Sequence, residues 1–286
     1  MDTTPPTHPA RALWWLYEPV HAVTYFAPEA RAAFEEAGLR GFWRGYFAGR
    51  AAPLGPVAAE PVTAAFFSFA PDMAARALPE VWQRASPERA LQARVVGAVD
   101  ALRRLLAAVD PALVEEAGAL LERATEGLDC AGRVLAAAQT GLPRPTEPVA
   151  RLWQAATVLR EHRGDGHVAT LVAAGLDGCE AIALRAALDT PRAALQSARG
   201  WTDEQWDAAV ERLISRGWLT DPKTVSPLGV ERHRALEQAT DEAAARPWDA
   251  LGPQQTARLQ AVLHPIAAAC ATELPNGNPI GLPLKF

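Results

Sequence analysis

Apolar residues recur at spacings of three and four along most of the chain, and strict two-residue alternation is scarce, so helices are expected nearly throughout. From Ala10 to Val23 the stripe is Leu13, Leu16, Val20 and Val23, with Pro19 placed to kink it. Pro28 suits the first turn of a helix that runs to Gly38. Leu39 to Gly49 reads LRGFWRGYFAG, with four aromatics among three glycines and two arginines, the densest aromatic cluster in the chain. Pro53, Gly55, Pro56 and Pro61 mark a loop. Helical spacing returns around Val62 to Ser68, over Pro71 to Arg84 with Pro79 interrupting, and over two long stretches, Pro87 to Val109 and Pro111 to Ala138.

A proline-rich segment, Gly141 to Pro148, separates this first half from a second. There the pattern predicts a helix from Val149 to His162, a break at Arg163-Gly164-Asp165-Gly166, and helix again from His167. A turn at Asp177-Gly178, a helix to Leu188, a short helix from Pro191 to Ala198 and a helix from Asp203 to Arg216 follow. Thr202, with Gln205 three residues on, forms a capping box for the last of these. Arg216 to Gly229 reads as a small two-stranded wing and Leu228 to Ala245 as another helix. Helix, short helix, turn, helix, hairpin, helix is the order of a winged helix.

Leu13-Trp14 recurs as Leu152-Trp153, His21 as His162, Ala37-Gly38-Leu39 as Ala174-Gly175-Leu176, Ser86-Pro87 as Ser226-Pro227 and Gly141-Leu142-Pro143 as Gly281-Leu282-Pro283. The offset stays between 137 and 141 residues over the whole length, which chance matches would not maintain. The expected fold is therefore all-α with minor β: two tandem winged-helix-like halves forming an internal pseudo-dimer. Residues 1–9 are expected to be a disordered leader, 10–145 a degenerate first half around Pro61 to Ala85, and 146–286 a complete second half. Its apolar tail, with Ile280, Leu282, Leu284 and Phe286, should dock across the surface between the halves.

A length of 286 residues suits two units, each able to bury a core. A formal charge of −5 offers no global attraction for a polyanion. Cys130, Cys179 and Cys270 are scattered, as reduced packing thiols would be. With neither a signal-peptide pattern nor a membrane-length apolar run, a cytoplasmic location is expected.

Four segments resemble an actinobacterial group known as SalK-like, or simply helix-turn-helix family proteins: GLRGFWRGYFAGRAAPLG (Gly38 to Gly55), LREHRGDGHVATLVAAGLDG (Leu159 to Gly178), GWTDEQWDAAVERLISRGWL (Gly200 to Leu219) and NPIGLP (Asn278 to Pro283). The resemblance implies a winged-helix architecture; it carries no catalytic residues with it.

In MarR-like regulators the second helix of the motif enters the major groove while Lys and Arg hold phosphates. Here the corresponding helix carries Asp203, Glu204, Asp207 and Glu211 against Arg212 and Arg216, and the wing offers Lys223 beside Asp221. On that count nucleic acid is an unlikely partner, and an apolar or aromatic small molecule bound between the halves is the expected one. The alternative is a MarR-like transcriptional regulator with the same cleft as its effector site.

The chemistry-bearing run is Arg160, Glu161, His162, Arg163, Asp165 and His167, six polar residues in eight positions. With His21 as counterpart of His162, an acid–base pair is expected at the interface, so His162, Asp165, His167 and His21 are the candidate proton-transfer residues. The plainer alternative makes Asp165 a helix cap and the arginines salt-bridge partners. Tyr25, Trp43, Arg44, Tyr46 and Arg163 are candidate ligand contacts, although aromatics at 42, 43, 46 and 47 have helical spacing, and such a stripe is more often core than binding site. No metal is expected, because His162 and His167 lie five apart with no third ligand, and no phosphate loop or dinucleotide fingerprint suggests a cofactor.

Overall fold

Side-chain caps and prolines at helix starts set most boundaries. Ser86, Asp110, Glu147, Asp177, Thr202 and Ser226 each accept a hydrogen bond from a backbone N–H in the first turn that follows. Four of the six are followed directly by a proline that lacks the N–H a first turn leaves unused. The computed structural model describes residues 8–282. It is mostly helical with one two-stranded sheet. The first part of the chain contains α1 (Pro9–Phe26), α2 (Pro28–Glu36), α3 (Phe42–Ala51), α4 (Ala59–Phe66), α5 (Pro71–Ala75), α6 (Pro87–Leu105), α7 (Pro111–Ala124) and α8 (Val134–Thr140). The second contains α9 (Pro148–Ala173), α10 (Gly178–Leu188), α11 (Arg192–Arg199), α12 (Asp203–Ser215), β1 (Leu219–Asp221), β2 (Thr224–Val225), α13 (Pro227–Ala243), α14 (Arg246–Leu251) and α15 (Pro253–Ala271).

Three apolar cores organise these elements. The largest joins α1, α6, α7, α9, α14 and α15 around Leu13, Tyr17, Leu102, Leu121, Trp153, Leu159 and Leu263. In it α1 packs on α15 and α9 on α7, while α1 and α9 touch each other. A second core gathers α3, α4 and α5 over Phe47, Phe66 and Phe69. The aromatics of Leu39 to Gly49 thus serve packing first, and Phe47 is fully buried. The third is the core of α10–α13 and the hairpin, built on Leu184, Leu195, Trp206, Leu213 and Trp218. Each large apolar side chain so buried contributes roughly 1.5–3 kcal/mol.

Two boundaries differ from the sequence pattern. The expected break at Arg163-Gly164-Asp165-Gly166 does not exist, because α9 runs unbroken for 26 residues. Both glycines there face neighbouring side chains, and at Gly166 a Cβ would collide with the Arg133 guanidinium, so Gly166 serves close packing within a helix. The expected helix over Pro111 to Ala138 is instead α7, a turn containing Gly127 and Gly132 at positive φ, and α8. The leader expected at 1–9 falls mostly on residues 1–7, outside the described residues; His8 caps α1 and Pro9 begins it. In the tail, Ile280 and Leu282 pack against Ala22, Tyr25 and Phe26 of α1, while Leu284 and Phe286 lie outside the described residues.

Candidate functional site

Two polar regions stand out: a closely packed cluster of buried polar side chains at the crossing of α1, α3, α6 and α9, called the chamber below, and the exposed face of the α10–α13 unit.

Helical spacing on α9 creates the first. Thr157, Arg160 and Glu161 share one face, turned toward α1 and α3. Glu161 is fully buried and receives Arg50 in a two-pronged pair, Nε to Oε1 and Nη2 to Oε2, both at 3.1 Å, while Arg160 Nη1 reaches Oε2 at 2.7 Å. Burial alone would raise the Glu161 pKa, but Arg160 and Arg50 together overcome it and hold the carboxyl below the usual range. Arg160 Nε also lies 3.6 Å from Glu18, whose other oxygen accepts from Trp14 Nε1 at 2.9 Å. Burial moves Glu18 the other way, upward.

His21 is fully buried, with Nδ1 2.9 Å from Thr157 Oγ1 and Nε2 2.9 Å from the Tyr25 hydroxyl. Burial first, then the Arg160 charge, lowers its pKa well below the ordinary histidine value and keeps the imidazole neutral. Both ring nitrogens are occupied. The Tyr25 ring sits 5.1 Å from that of Tyr46, whose hydroxyl accepts from Arg50 Nη1 at 3.2 Å.

The other candidates on α9 point elsewhere. His162 lies five residues beyond Thr157, about 140° further round the helix, beside Asp129 and Arg133 rather than in the chamber with His21. Burial and Arg133 lower its pKa to about 4. Asp165 accepts from the backbone N–H groups of Leu135 and Ala136, both at 2.9 Å, and so caps α8 across space. Burial pushes its carboxyl up to about 6 against those two amides. His167 Nδ1 meets Thr240 Oγ1 at 3.0 Å, and burial lowers its pKa to about 4. Arg163 is ion-paired to Asp241 at 2.9 Å and stacks 5.0 Å from the Trp14 ring. Arg44 is half-buried, with Nη1 donating to the Arg40 carbonyl at 3.3 Å, and Trp43 packs on the α3–α5 core. Of the nine candidates, then, His21, Tyr25 and Tyr46 share the chamber, while Asp165, His167 and Arg163 bind α8 and α13 to α9 and His162 faces the turn before α8. The alignment explains the histidine mismatch. With the helix starts Pro9 and Pro148 superposed, Leu13-Trp14 falls on Leu152-Trp153 and Arg160, not His162, stands opposite His21.

Sequence reasoning missed Arg94 and Thr157. Arg94 was detectable as the one charge on the small-residue face of α6, among Ala90, Ala93, Gly97 and Ala98, all buried.

The winged unit presents α12. Trp206, Ala209, Val210 and Leu213 are buried beneath it, leaving Asp203, Glu204, Asp207, Ala208 and Glu211 exposed. Arg192 of α11 pairs with Asp203 and Asp207, each at 2.8 Å, so its one positive charge is shared between two of the four carboxylates on α12. Arg212 is held by Asp177 at 2.6 Å and Glu180 at 2.8 Å. In the hairpin, Leu219 pairs with Val225 and Asp221 with Thr224, which puts Lys223 at the tip. Among the described residues, Lys223 and Arg234 of α13 are exposed and make no ion pair. The unit docks on the turn between α4 and α5. Trp201 Nε1 donates to the Ser68 carbonyl at 2.9 Å, Ala70 N to the Arg199 carbonyl at 2.9 Å, and Gly178 lies so close to the Phe67 carbonyl that a Cβ would collide with it.

An exposed helix set on a three-helix core with a hairpin after it is the signature of a helix-turn-helix module. The model of a helix-turn-helix family matches residues 10–275, nearly the whole chain, and the protein belongs to that family. No curated protein and no solved structure matches it. The family corrects the expectation that nucleic acid is an unlikely partner: membership points to a DNA-binding protein. The charges around α12 do not reverse the count, since Arg192 adds one cation while Asp177 and Glu180 engage Arg212 and Arg216; it is the family that overturns the expectation, which took charge on one helix for the whole of recognition. No described helix is long and apolar enough to cross a membrane.

Proposed function

We propose that the protein is a DNA-binding transcriptional regulator in which α12 enters the major groove and the β1–β2 hairpin follows the adjacent backbone. The observation that carries this reading is the run α10, α11, α12, β1, β2, α13 around its own core, in a chain of helix-turn-helix family. The two halves act as an internal pseudo-dimer. Supporting this are the crossed packing of α1 on α15 and α9 on α7, and the Ser-Pro pairs that open both α6 and α13. The buried chamber at the α1–α9 crossing is the natural effector end.

Charge dictates how such a protein reads DNA. Carboxylates on a groove-facing helix accept from the N4 amino group of cytosine, so Glu204 and Glu211 favour C·G pairs over A·T. Phosphate contacts fall to Lys223, Arg232 and Arg234. With about three of them the salt slope is shallow, roughly −3. The acid–base enzyme reading lacks support in the geometry, since the His21 ring is fully buried with both nitrogens engaged.

Selection from a random duplex library, followed by gel shift over a salt titration, tests the reading. A cytosine-containing consensus lost in Glu211→Ala is expected. Retention of no duplex above background at physiological salt would overturn it.

A further inference from the structure

The Ser-Pro pairs that open α6 and α13 set an offset of 140 residues at which the two halves can be compared position by position. At that offset α12 lies over residues 63–75, which are the end of α4, a turn and α5. Burial matches in register. Trp206, Ala209, Val210 and Leu213 are the covered positions of α12, and opposite them Phe66, Phe69, Ala70 and Met73 are all buried. The first half therefore keeps the inward face of such a helix, but the helix itself is broken. Phe67 takes a φ of 60° that ends α4, and Pro71, opposite Glu211, has no N–H for a helical ladder and begins α5 afresh. A 3₁₀ turn, Glu80–Gln83, stands opposite the β1–β2 hairpin.

The outward face of the broken helix is occupied as well. Phe67 and Ser68 stand opposite Asp207 and Ala208, two exposed positions of α12. The Ser68 carbonyl accepts from Trp201 Nε1 at 2.9 Å, Ser68 Oγ accepts from Arg199 Nε at 3.2 Å, and Gly178 closes over the Phe67 carbonyl. All three partners belong to the second half. The surface that α12 leaves open is, in the first half, the seat on which the α10–α13 unit rests.

We propose that one chain reads one half-site: α12 is its single reading helix, and its target is an asymmetric element instead of an inverted repeat. The proposal rests on the DNA-binding reading above and specifies the class of duplex that this reading takes. Dimeric helix-turn-helix proteins hold two reading helices roughly 34–36 Å apart, and the symmetry of the operator copies that of the protein. With one of the two positions closed by the seat, the chain has no device for reading a second arm. Its site is composed of the bases under α12 and the backbone step followed by the β1–β2 hairpin.

Two measurements test this. On the free chain, hydrogen exchange reports the seat: the Ala70 amide, which donates to the Arg199 carbonyl, is expected to exchange at least about 100-fold more slowly than that of the exposed turn residue Gly132. Equal rates would mean an open seam and overturn the proposal whatever the DNA result. On DNA, duplexes selected from a random library are examined by native mass spectrometry, with a consensus lacking two-fold symmetry and one chain per element as the expected result. Ala64 of α4 stands opposite Glu204, and both are exposed. Glu204→Ala is expected to lower the preference at one base pair by about fivefold or more, while Ala64→Glu leaves consensus and affinity unchanged. A two-fold-symmetric consensus held by one chain, or a base preference altered in Ala64→Glu, overturns the single-reader assignment and leaves the regulator reading standing. An inverted repeat carrying two chains supports the assignment, since each arm then has its own α12. Background retention of every duplex fells both readings together, and so is distinguished from failure of this step alone.

Discussion

The inner face of α9 and the outer face of α12 carry similar charged residues at similar helical spacing, with opposite physical results. On α9, Arg160 and Glu161 are locked with Arg50 inside the protein. On α12, Asp203 and Asp207 meet Arg192 at the surface while Glu204 and Glu211 face water. The difference lies in what each helix packs against. Helix α9 is central, touching α1, α6, α7, α8 and α13, so almost every face is covered and its charges must find partners. Helix α12 has one covered face, and its charges are free to meet an external partner. The same letters specify architecture in one place and, on the proposed reading, recognition in the other.

The sharpest way to break this contrast is to remove Glu161. Glu161→Gln strands Arg50 and Arg160 and is expected to cost about 3–5 kcal/mol in urea unfolding. If the loss were no greater than for Glu211→Gln, the two faces would not differ as described.

Acidification comes next. Above about 6.5 the unfolded chain and the fold both hold neutral imidazoles, but His162 and His167 resist protonation in the fold down to about 4, so the unfolded chain gains protons first as pH falls. Their stability contribution is complete above that window and lost on passing down through it, roughly 1–3 kcal/mol for each histidine. Asp165 runs the other way: raised to about 6, it favours the fold while protonated, and that gain fades as pH rises toward about 6. Two histidines outweigh one aspartate, so the midpoint drops on acidification. His167→Asn, which keeps a partner for Thr240, flattens the profile.

Asp165→Ala removes the cap on α8 and is expected to cost about 1–2 kcal/mol, with faster amide exchange at Leu135 and Ala136. The smallest change in stability belongs to Glu211→Gln. Its unfolding midpoint stays at the wild-type value, yet it binds non-specific DNA more tightly because one repulsive charge is gone.

Much of the fold was legible from the chain. Thr202 with Gln205 announced its helix, and Arg216 to Gly229 announced the hairpin, while the caps Ser86 and Ser226 had stood out only as repeated Ser-Pro pairs. Gly164 and Gly166 misled, because a glycine in a helix looks like a break until its surroundings are seen; at Gly166 the Arg133 guanidinium and Ala243 crowd the site, while Gly164 is simply tolerated in a packed helix. The polar run from Arg160 to His167 stood out in the sequence, but a helix turns 100° at each residue, so neighbours in sequence serve different partners. His21 was read as the partner of His162, and Tyr25 and Tyr46 as ligand contacts beside Trp43, Arg44 and Arg163; the structure instead brings His21, Tyr25 and Tyr46 together and leaves His162 elsewhere. Arg94 and the Arg192 pairs escaped because their meaning depends on residues far away in the chain.

The seat of the winged unit has a consequence of its own. At Gly178 the backbone rests so closely on the Phe67 carbonyl that no side chain fits, and Trp201 and Ala70 pin the same seam from either side. A unit mounted this way cannot swivel like a pendant. On the proposed reading its bearing toward the rest of the chain is built in, so a target duplex would supply any bend the contact needs, and inserting a few base pairs inside a composite site is expected to abolish recognition instead of merely relocating it.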